Sequence, residues 1–308
     1  MRDTTAGDPI SGLKWTHESL RKICRVLRRQ GYAISPPTVS RLLRQDGYSL
    51  RVNRKRVAGR QSPNRDAQFA HIARRRREFL RKGRPVISID TKKKELIGHF
   101  KNPGRAWGQQ ARDVNMYDFR SQALGIAIPY GVYDVGRNRG YVSVGIAHDT
   151  SEFAVAAIRA WWFMEGRNAY RGQNHLLIEA DSGGSNGNRR LLWKAQLQRF
   201  ADETGLTIAV THYPPGSSKW NPIEHRMFSI ITDNWAGHPL DSYETILKHL
   251  RTTRTTTGFR CRARLDKTHY RKGMKVSRGE ATRIRIKRSK TFPQWNYTIY
   301  PRKRGHQS

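Results

Sequence analysis

The chain has 308 residues and a mass of 35.6 kDa, enough for about two domains with a sizeable core. Lys and Arg total 59 against 24 Asp and Glu, a net charge of +35 that makes a polyanion the leading partner, with nucleic acid ahead of a membrane surface. The longest apolar run, Phe153 to Ile158, is far short of the roughly 20 residues that cross a bilayer, and two cysteines, Cys24 and Cys261, cannot make a four-cysteine zinc site. No apolar signal segment follows Met1, so the expectation is a cytoplasmic protein associated with DNA, its thiols reduced.

Charge is distributed in three regions. Residues 1–89 carry 22 basic and 6 acidic side chains, residues 90–250 carry 19 and 16, and residues 251–308 carry 18 and 2. A nearly neutral centre between two basic ends suits a chemical core whose flanks hold a phosphate backbone.

Leu20, Ile23 and Leu27 share one face of a predicted helix from Thr16 to Gln30, with Thr16 as N-cap and Gly31 as the stop. Ser35-Pro36-Pro37 starts a second helix containing Val39, Leu42 and Leu43, which ends by Gly47. This pair resembles a helix-turn-helix, and Thr38, Ser40, Arg41 and Arg44 are its candidates to face a major groove. A helical hairpin with no DNA role is the alternative. Tyr48 to Val52 reads as a short strand, followed by Arg51, Arg54, Lys55, Arg56 and Arg60 as a basic wing and by a hinge at residues 59–64. Asp66 to Arg81 is predicted to be helical, with Phe69, Ile72 and Phe79 beside the run Arg74 to Arg77.

Pro85 to Asp90 and Lys94 to Phe100 read as two strands of an antiparallel hairpin. Further strand signal lies at Val132-Tyr133, Tyr141 to Ala147, Leu176 to Asp181 and Thr207 to Thr211. Helices are predicted over Ser151 to Phe163, over Arg190 to Thr204, and after the loop Pro214 to Pro222, in a segment containing Glu224, His225, Phe228 and Ile231. The result is a mixed α/β domain whose opening hairpin excludes a simple doubly wound arrangement. The glycines of Gly183-Gly184-Ser185-Asn186-Gly187 match no nucleotide-binding fingerprint and read as a tight turn.

Asp90 and Asp181 each close an apolar strand, where the rigid strand places the carboxylate and the open end admits a substrate. Carboxylate oxygens there suit a hard divalent cation such as Mg²⁺. Glu224, at a helix start after a Pro-, Gly- and Asn-containing loop, is the candidate third acid; Glu179, Asp134 and Asp149 are rivals. Ordinary turn and helix-start roles for these carboxylates are the competing account.

Five segments sharpen the choice: Val86 to Glu95, Ile128 to Asp134, Ala180 to Gly187, Tyr213 to His225 and Trp295 to Ile299. Through them the chain resembles a bacterial insertion-sequence transposase of the Rhodopirellula-type DDE family, distantly mariner-like, over most of residues 12 to 301. The resemblance implies an RNase H-like catalytic domain with a mixed sheet, preceded by a helix-turn-helix or winged-helix DNA-binding domain. Its expected boundaries are 12–60 for the DNA-binding domain, 61–84 for a basic helical linker, 85–257 for the catalytic domain and 258–308 for a basic extension packing on it. It implies Asp90, Asp181 and Glu224 as the catalytic, metal-binding triad, with two Mg²⁺ ions when DNA is bound and Mn²⁺ as a substitute. Water would attack phosphorus first and a DNA 3′-hydroxyl second. Expected partners are double-stranded DNA, as terminal inverted repeats and target, and a second copy of the chain in a homodimeric synaptic complex, with no membrane. Relatives carry more sequence before the position of Gly12, which keeps open a catalytically silent DNA-binding protein or transposition inhibitor. A metal-dependent nuclease without strand transfer is the other alternative.

No side-chain nucleophile is required, so Ser182, Ser185 and Ser217 are poor choices for covalent chemistry. His225 reads as structural first. Lys92, Lys93 and Lys219 are candidates to approach the scissile backbone, and Arg283 to Lys290 alternates as a basic strand would.

Overall fold

The computed structural model describes residues 5–7, 14–16, 19–49 and 63–302, in two units that divide after Ala58. In the first unit, strands β1 (Thr5–Gly7) and β2 (Lys14–Thr16) pair antiparallel. Helix α1 (Leu20–Arg29) is capped by Ser19, whose hydroxyl accepts from the Lys22 N–H at 3.3 Å. The expected cap, Thr16, lies instead in β2, because Ser19 is the oxygen-bearing side chain one residue before the first helical turn. Ser35 caps α2 (Pro36–Gln45), whose first turn carries the two prolines that need no intrahelical donor. Ile23 and Cys24 of α1 pack against Val39 of α2 in a small core of their own. Of the predicted strand Tyr48–Val52, residues 50–52 lie outside the described residues, as do Arg51, Arg54, Lys55, Arg56 and Arg60 and most of the 59–64 hinge.

The second unit starts with α3 (Arg65–Arg81) and is built on a mixed sheet, nine-stranded among the described residues. Its strands are β3 (Val86–Thr91), β4 (Glu95–Ile97), β5 (Gly125–Asp134), β6 (Arg139–Gly145), β7 (His175–Asp181), β8 (Thr207–Tyr213), β9 (Arg260–Asp266), β10 (Ile286–Arg288) and β11 (Asn296–Ile299). They lie side by side in the order β10-β11-β8-β7-β3-β5-β6-β9, with β4 attached to β5. β3, β7 and β8 run parallel to one another; β3, β5 and β6 alternate in direction. The parallel strands are buried on both faces, so apolar residues dominate them, with Ser88, Glu179, Thr211 and His212 as buried polar exceptions.

The expected hairpin between β3 and β4 does not form. β4 pairs antiparallel with β5, Leu96 opposite Ile126, next to the stretch of β5 that pairs β3, and the Lys92 N–H between them still donates to the Pro129 carbonyl of β5 at 2.9 Å. A short gap was compatible with a hairpin, but β5 is long enough, at ten residues, to bind both strands along one side.

Strand alternation divides the core into two layers. On one face Ile87, Ile89, Tyr130, Val132 and Ile178 pack against α4 (Ser151–Trp161) and α6 (Leu191–Thr204), with Phe153, Trp161 and Trp193 fully buried. Each such side chain contributes roughly 1.5–3 kcal/mol of burial. α4 runs through a π-helical turn, Trp162–Gly166, into the short α5 (Arg167–Ala169), so the predicted helix changes geometry before Phe163. On the other face Tyr133, Val142 and Val144 pack under a π-helical turn at Glu224–Phe228, α7 (Ser229–Asn234) and α8 (Tyr243–Thr252). The segment after residue 258 supplies both sheet edges: β9 on one side and, beyond α9 (Arg278–Thr282), β10 and β11 on the other. Only Ile286–Arg288 of the predicted basic strand is extended, since Arg283 closes α9. Among the described residues no helix is long and apolar enough to cross a membrane.

Candidate active site

Neighbouring parallel strands end at the same edge of a sheet. Ile89 of β3 is in register with Ala180 of β7, so Asp90 and Asp181 follow on adjacent strands, about 5 Å apart across the sheet, and both project to the face of the Glu224 turn. Glu224 arrives from the loop after β8. Its backbone is fixed to β3 by two residues: the Ile223 N–H donates to Ser88 Oγ at 3.0 Å, and the Ser88 hydroxyl donates to Asn221 Oδ1. Asn221 Nδ2 donates in turn to the Ile89 carbonyl and to Asp181 Oδ1, both at 3.1 Å. One buried amide therefore ties β3, the end of β7 and the Glu224 turn together.

Gly131 makes the approach sterically possible. It pairs with Asp90, and a Cβ there would lie 2.6 Å from Phe228 Cε1 and 2.8 Å from Ile223 Cδ1. Any larger residue would displace the turn that carries Glu224.

Burial, followed by the Asp181 charge, pushes the Asp90 carboxyl up to about 8; the Thr91 N–H, donating to Asp90 Oδ1 at 2.7 Å, opposes the rise, and the neighbouring Glu224 adds to it. Burial also raises Asp181, to about 6, against the stabilising Asn221 hydrogen bond, with Glu224 adding repulsion. Among the described residues no group of three His, Cys, Asp or Glu side chains is already disposed as a metal-binding cage. The donor chemistry nevertheless fits a hard divalent ion. All donors are carboxylate oxygens, they repel one another, and a cation would relieve that repulsion. Asp149 Oδ1 and Tyr130 Oη lie nearby, buried without a hydrogen-bond partner, and burial together with Asp90, Asp149 and Asp181 raises the Tyr130 hydroxyl well above its usual range.

Two rival acids have other partners. Glu179 is fully buried and held by Arg76 through two hydrogen bonds of 2.8 and 2.5 Å, with Tyr213 Oη 3.2 Å away. Asp134 sits toward the other end of the sheet, opposite Ile87, where it accepts from Tyr170 Oη at 2.7 Å and the Arg137 N–H at 3.1 Å.

The basic candidates are dispersed. Lys92 is buried, its ammonium 3.3 Å from Glu95 and 4.6 Å from the centre of the Trp235 ring, and burial lowers its pKa. Lys93 and Lys219 are exposed, Lys219 over the Trp220 ring. His225 contacts the Lys219 carbonyl. Ser182 donates to the Tyr213 carbonyl, and Ser185 and Ser217 are buried. Thr38, Ser40, Arg41 and Arg44 all lie on α2 of the first unit, the two arginines exposed, while Thr38 shares a 2.9 Å hydroxyl hydrogen bond with Ser35.

Sequence reasoning missed the supports. Asn221 was visible only as a loop former, and Ser88 only as a strand residue. His212, fully buried, faces the Asp181 carbonyl with Nδ1 at 2.8 Å and Tyr297 Oη with Nε2 at 3.1 Å; burial holds its pKa down at about 4. Tyr297 also accepts from Trp193 Nε1 at 2.9 Å, and its neighbour Asn296 exchanges amide hydrogen bonds with Gln68 of α3. The carboxy-terminal strand thus braces β8 directly behind Asp181.

Residues 1–301 match the family model described as Rhodopirellula transposase DDE domain. No curated protein matches the chain. Among solved structures, the chain is similar to a Mos1 transposase paired-end complex with left transposon end, at 17% identity and a TM-score of 0.46. It is also similar to a pre-cleavage Mos1 transpososome, at 16% and 0.46, and to a Mos1 mariner paired end complex with Mn, at 14% and 0.45. Each alignment covers 75% of this chain, which spans about 65% of the length of those chains.

Proposed function

Because the chain belongs to the Rhodopirellula DDE transposase family, we propose that it is a DNA transposase that cleaves element ends and joins them to target DNA by metal-dependent phosphoryl transfer. The observation that carries this reading is the convergence of Asp90, Asp181 and Glu224 on one sheet edge, tied together through Asn221. The order β6-β5-β3-β7-β8, three alternating strands followed by two parallel ones, supports reading the second unit as an RNase H-like catalytic domain. The two capped helices of the first unit support a helix-turn-helix DNA-binding domain, with Arg41 and Arg44 toward phosphate or bases.

Asp90, Asp181 and Glu224 would hold the divalent ions, Mg²⁺ or Mn²⁺, which when bound supply charge neutralisation at the phosphate and a more acidic attacking oxygen. Asn221 fixes the orientation of the Asp181 carboxylate, and the Thr91 N–H fixes that of Asp90. Lys92, buried beside Glu95, places positive charge within reach of Glu224 and balances the acidic cluster. Water and then a DNA 3′-hydroxyl serve as nucleophiles, so no serine is consumed.

The test is incubation of purified protein with Mg²⁺, DNA bearing the element's terminal repeats and a target plasmid. Cut ends covalently joined to the plasmid support the transposase; cut ends alone mark a nuclease, and bound but intact ends a silent DNA-binding protein.

A further inference from the structure

Edge strand β9 alternates over residues 260–265. Cys261 and Ala263 belong to the core layer beneath α8, while Arg260 and Arg262 turn outward and are exposed. β9 lies parallel to β6 with Arg260 opposite Arg139, and the cleft beside them also takes in Arg137, Arg251 and Arg254. Six arginines thus line one depression of about 760 Å³. The acid on its wall is Glu165, whose Oε1 is 3.4 Å from Arg262 Nε; among the described residues the other five arginines have no carboxylate within ion-pair distance. Two are anchored without being neutralised: Arg139 donates to the Gly258 carbonyl, and Arg251 Nε to the Ala263 carbonyl at 3.1 Å.

Clustering that many like charges is unfavourable for the isolated protein and favourable only once an anion with several charges enters. Planar guanidinium forks match phosphate oxygens in pairs. Three strand spacings separate β9 from β3, and Arg260 is level with Ile87, three residues short of Asp90. Arg260 on β9 therefore lies about 15–20 Å from the acids, too far to grip the phosphate being cut.

We propose that this arginine cleft is a second nucleic-acid site, binding the phosphate backbone of a stretch of duplex DNA distinct from the one at the acids, without reading its sequence. The inference rests on DNA being the polymer this chain acts on. It uses none of the residues assigned to the catalytic edge or to α2.

The test uses the full chain in EDTA and a random-sequence duplex, with affinity followed against KCl concentration. The substitutions are Arg137→Ser, Arg254→Ser and Arg260→Ser combined, and the same three positions changed to Lys. The serine triple should lose at least tenfold in affinity, and its slope of log K against log salt should flatten by up to about 2.7, roughly 0.9 per lost contact. The lysine triple should keep the slope. If the serine triple fails to fold, each single substitution should flatten the slope by about 0.9. Unchanged affinity and slope in the serine variants, while the wild type binds duplex, overturn the cleft alone. Thermal protection of the wild type by inorganic phosphate with no loss of duplex binding in the variants also overturns it. A wild-type chain that binds no duplex overturns the DNA reading of the preceding section, and this inference with it.

Discussion

Asn221 and Asp181 are joined by a 3.1 Å hydrogen bond from side-chain amide to carboxylate, although they lie on different elements and Asn221 is completely buried. The same amide holds the Ile89 carbonyl, so Asn221 sets both the position of the Glu224 turn and the direction of an acid. Asn221→Ala leaves the Ile89 carbonyl and the Ser88 hydroxyl short of a partner, with an expected cost of about 1–3 kcal/mol. Urea unfolding should show a lower midpoint, and cleavage of terminal DNA should fall by more than the loss of folded protein accounts for. Asn221→Asp should be worse for activity, because it adds a like charge beside Asp181.

Gly131→Ala should destabilise by about 1–3 kcal/mol, since the new Cβ meets Phe228 and Ile223 inside packing distance. Combining it with Phe228→Leu opens space at the contact. Partial recovery of the melting temperature and cleavage rate in the double variant is expected; simple addition of two losses would show that the glycine serves some other need.

Glu179 was a rival for the catalytic triad and instead belongs to a clamp. Its buried carboxylate is paired with Arg76 of α3, 28% exposed, which reaches across 103 positions of sequence. Arg76→Ala strands that charge and should cost about 3–5 kcal/mol. Arg76→Ala with Glu179→Gln should recover part of the loss in thermal melts, because the uncompensated charge is gone.

Asp90 gives the metal-free protein a specific pH dependence. An unfolded Asp loses its proton near 3.8, whereas Asp90 in the fold keeps its proton up to about 8. Between those values the folded state binds more protons than the unfolded state, so Asp90's contribution falls as pH rises through this window. Asp90→Asn removes the penalty. In EDTA the variant should melt above the wild type at pH 8, with the gap narrowing toward pH 4, while a gap that does not change with pH would contradict the assignment.

How much was legible follows from the range of the interactions. Val86 to Asp90 and Leu176 to Asp181 were readable as acid-tipped strands because apolar residues dominate them, and the helices of the first unit through their apolar faces, the prolines that open the second and the glycines that stop both, although the first cap was expected at Thr16 and is Ser19. Glu224 was reachable through its position after an Asn-Pro turn. The β4–β5 pairing was not, since a short gap to β3 implies a hairpin unless the whole length of β5 is known. Asn221, Ser88 and His212 were equally hidden: their hydrogen bonds cross 31 to 135 positions, and no local pattern records them. β9 read as basic tail because its arginines dominate composition, while its alternation becomes informative only once β6 lies beside it.

Asp181 offers the sharpest measurement. Asp181→Asn preserves size and much of the Asn221 contact while removing the charge, so the protein should fold and still bind terminal DNA. With Mg²⁺ supplied, gel analysis of terminal DNA and target plasmid should show neither cleaved ends nor joined products, where the wild type gives both. Cleavage and joining at the wild-type rate by the folded variant would contradict the account at its root.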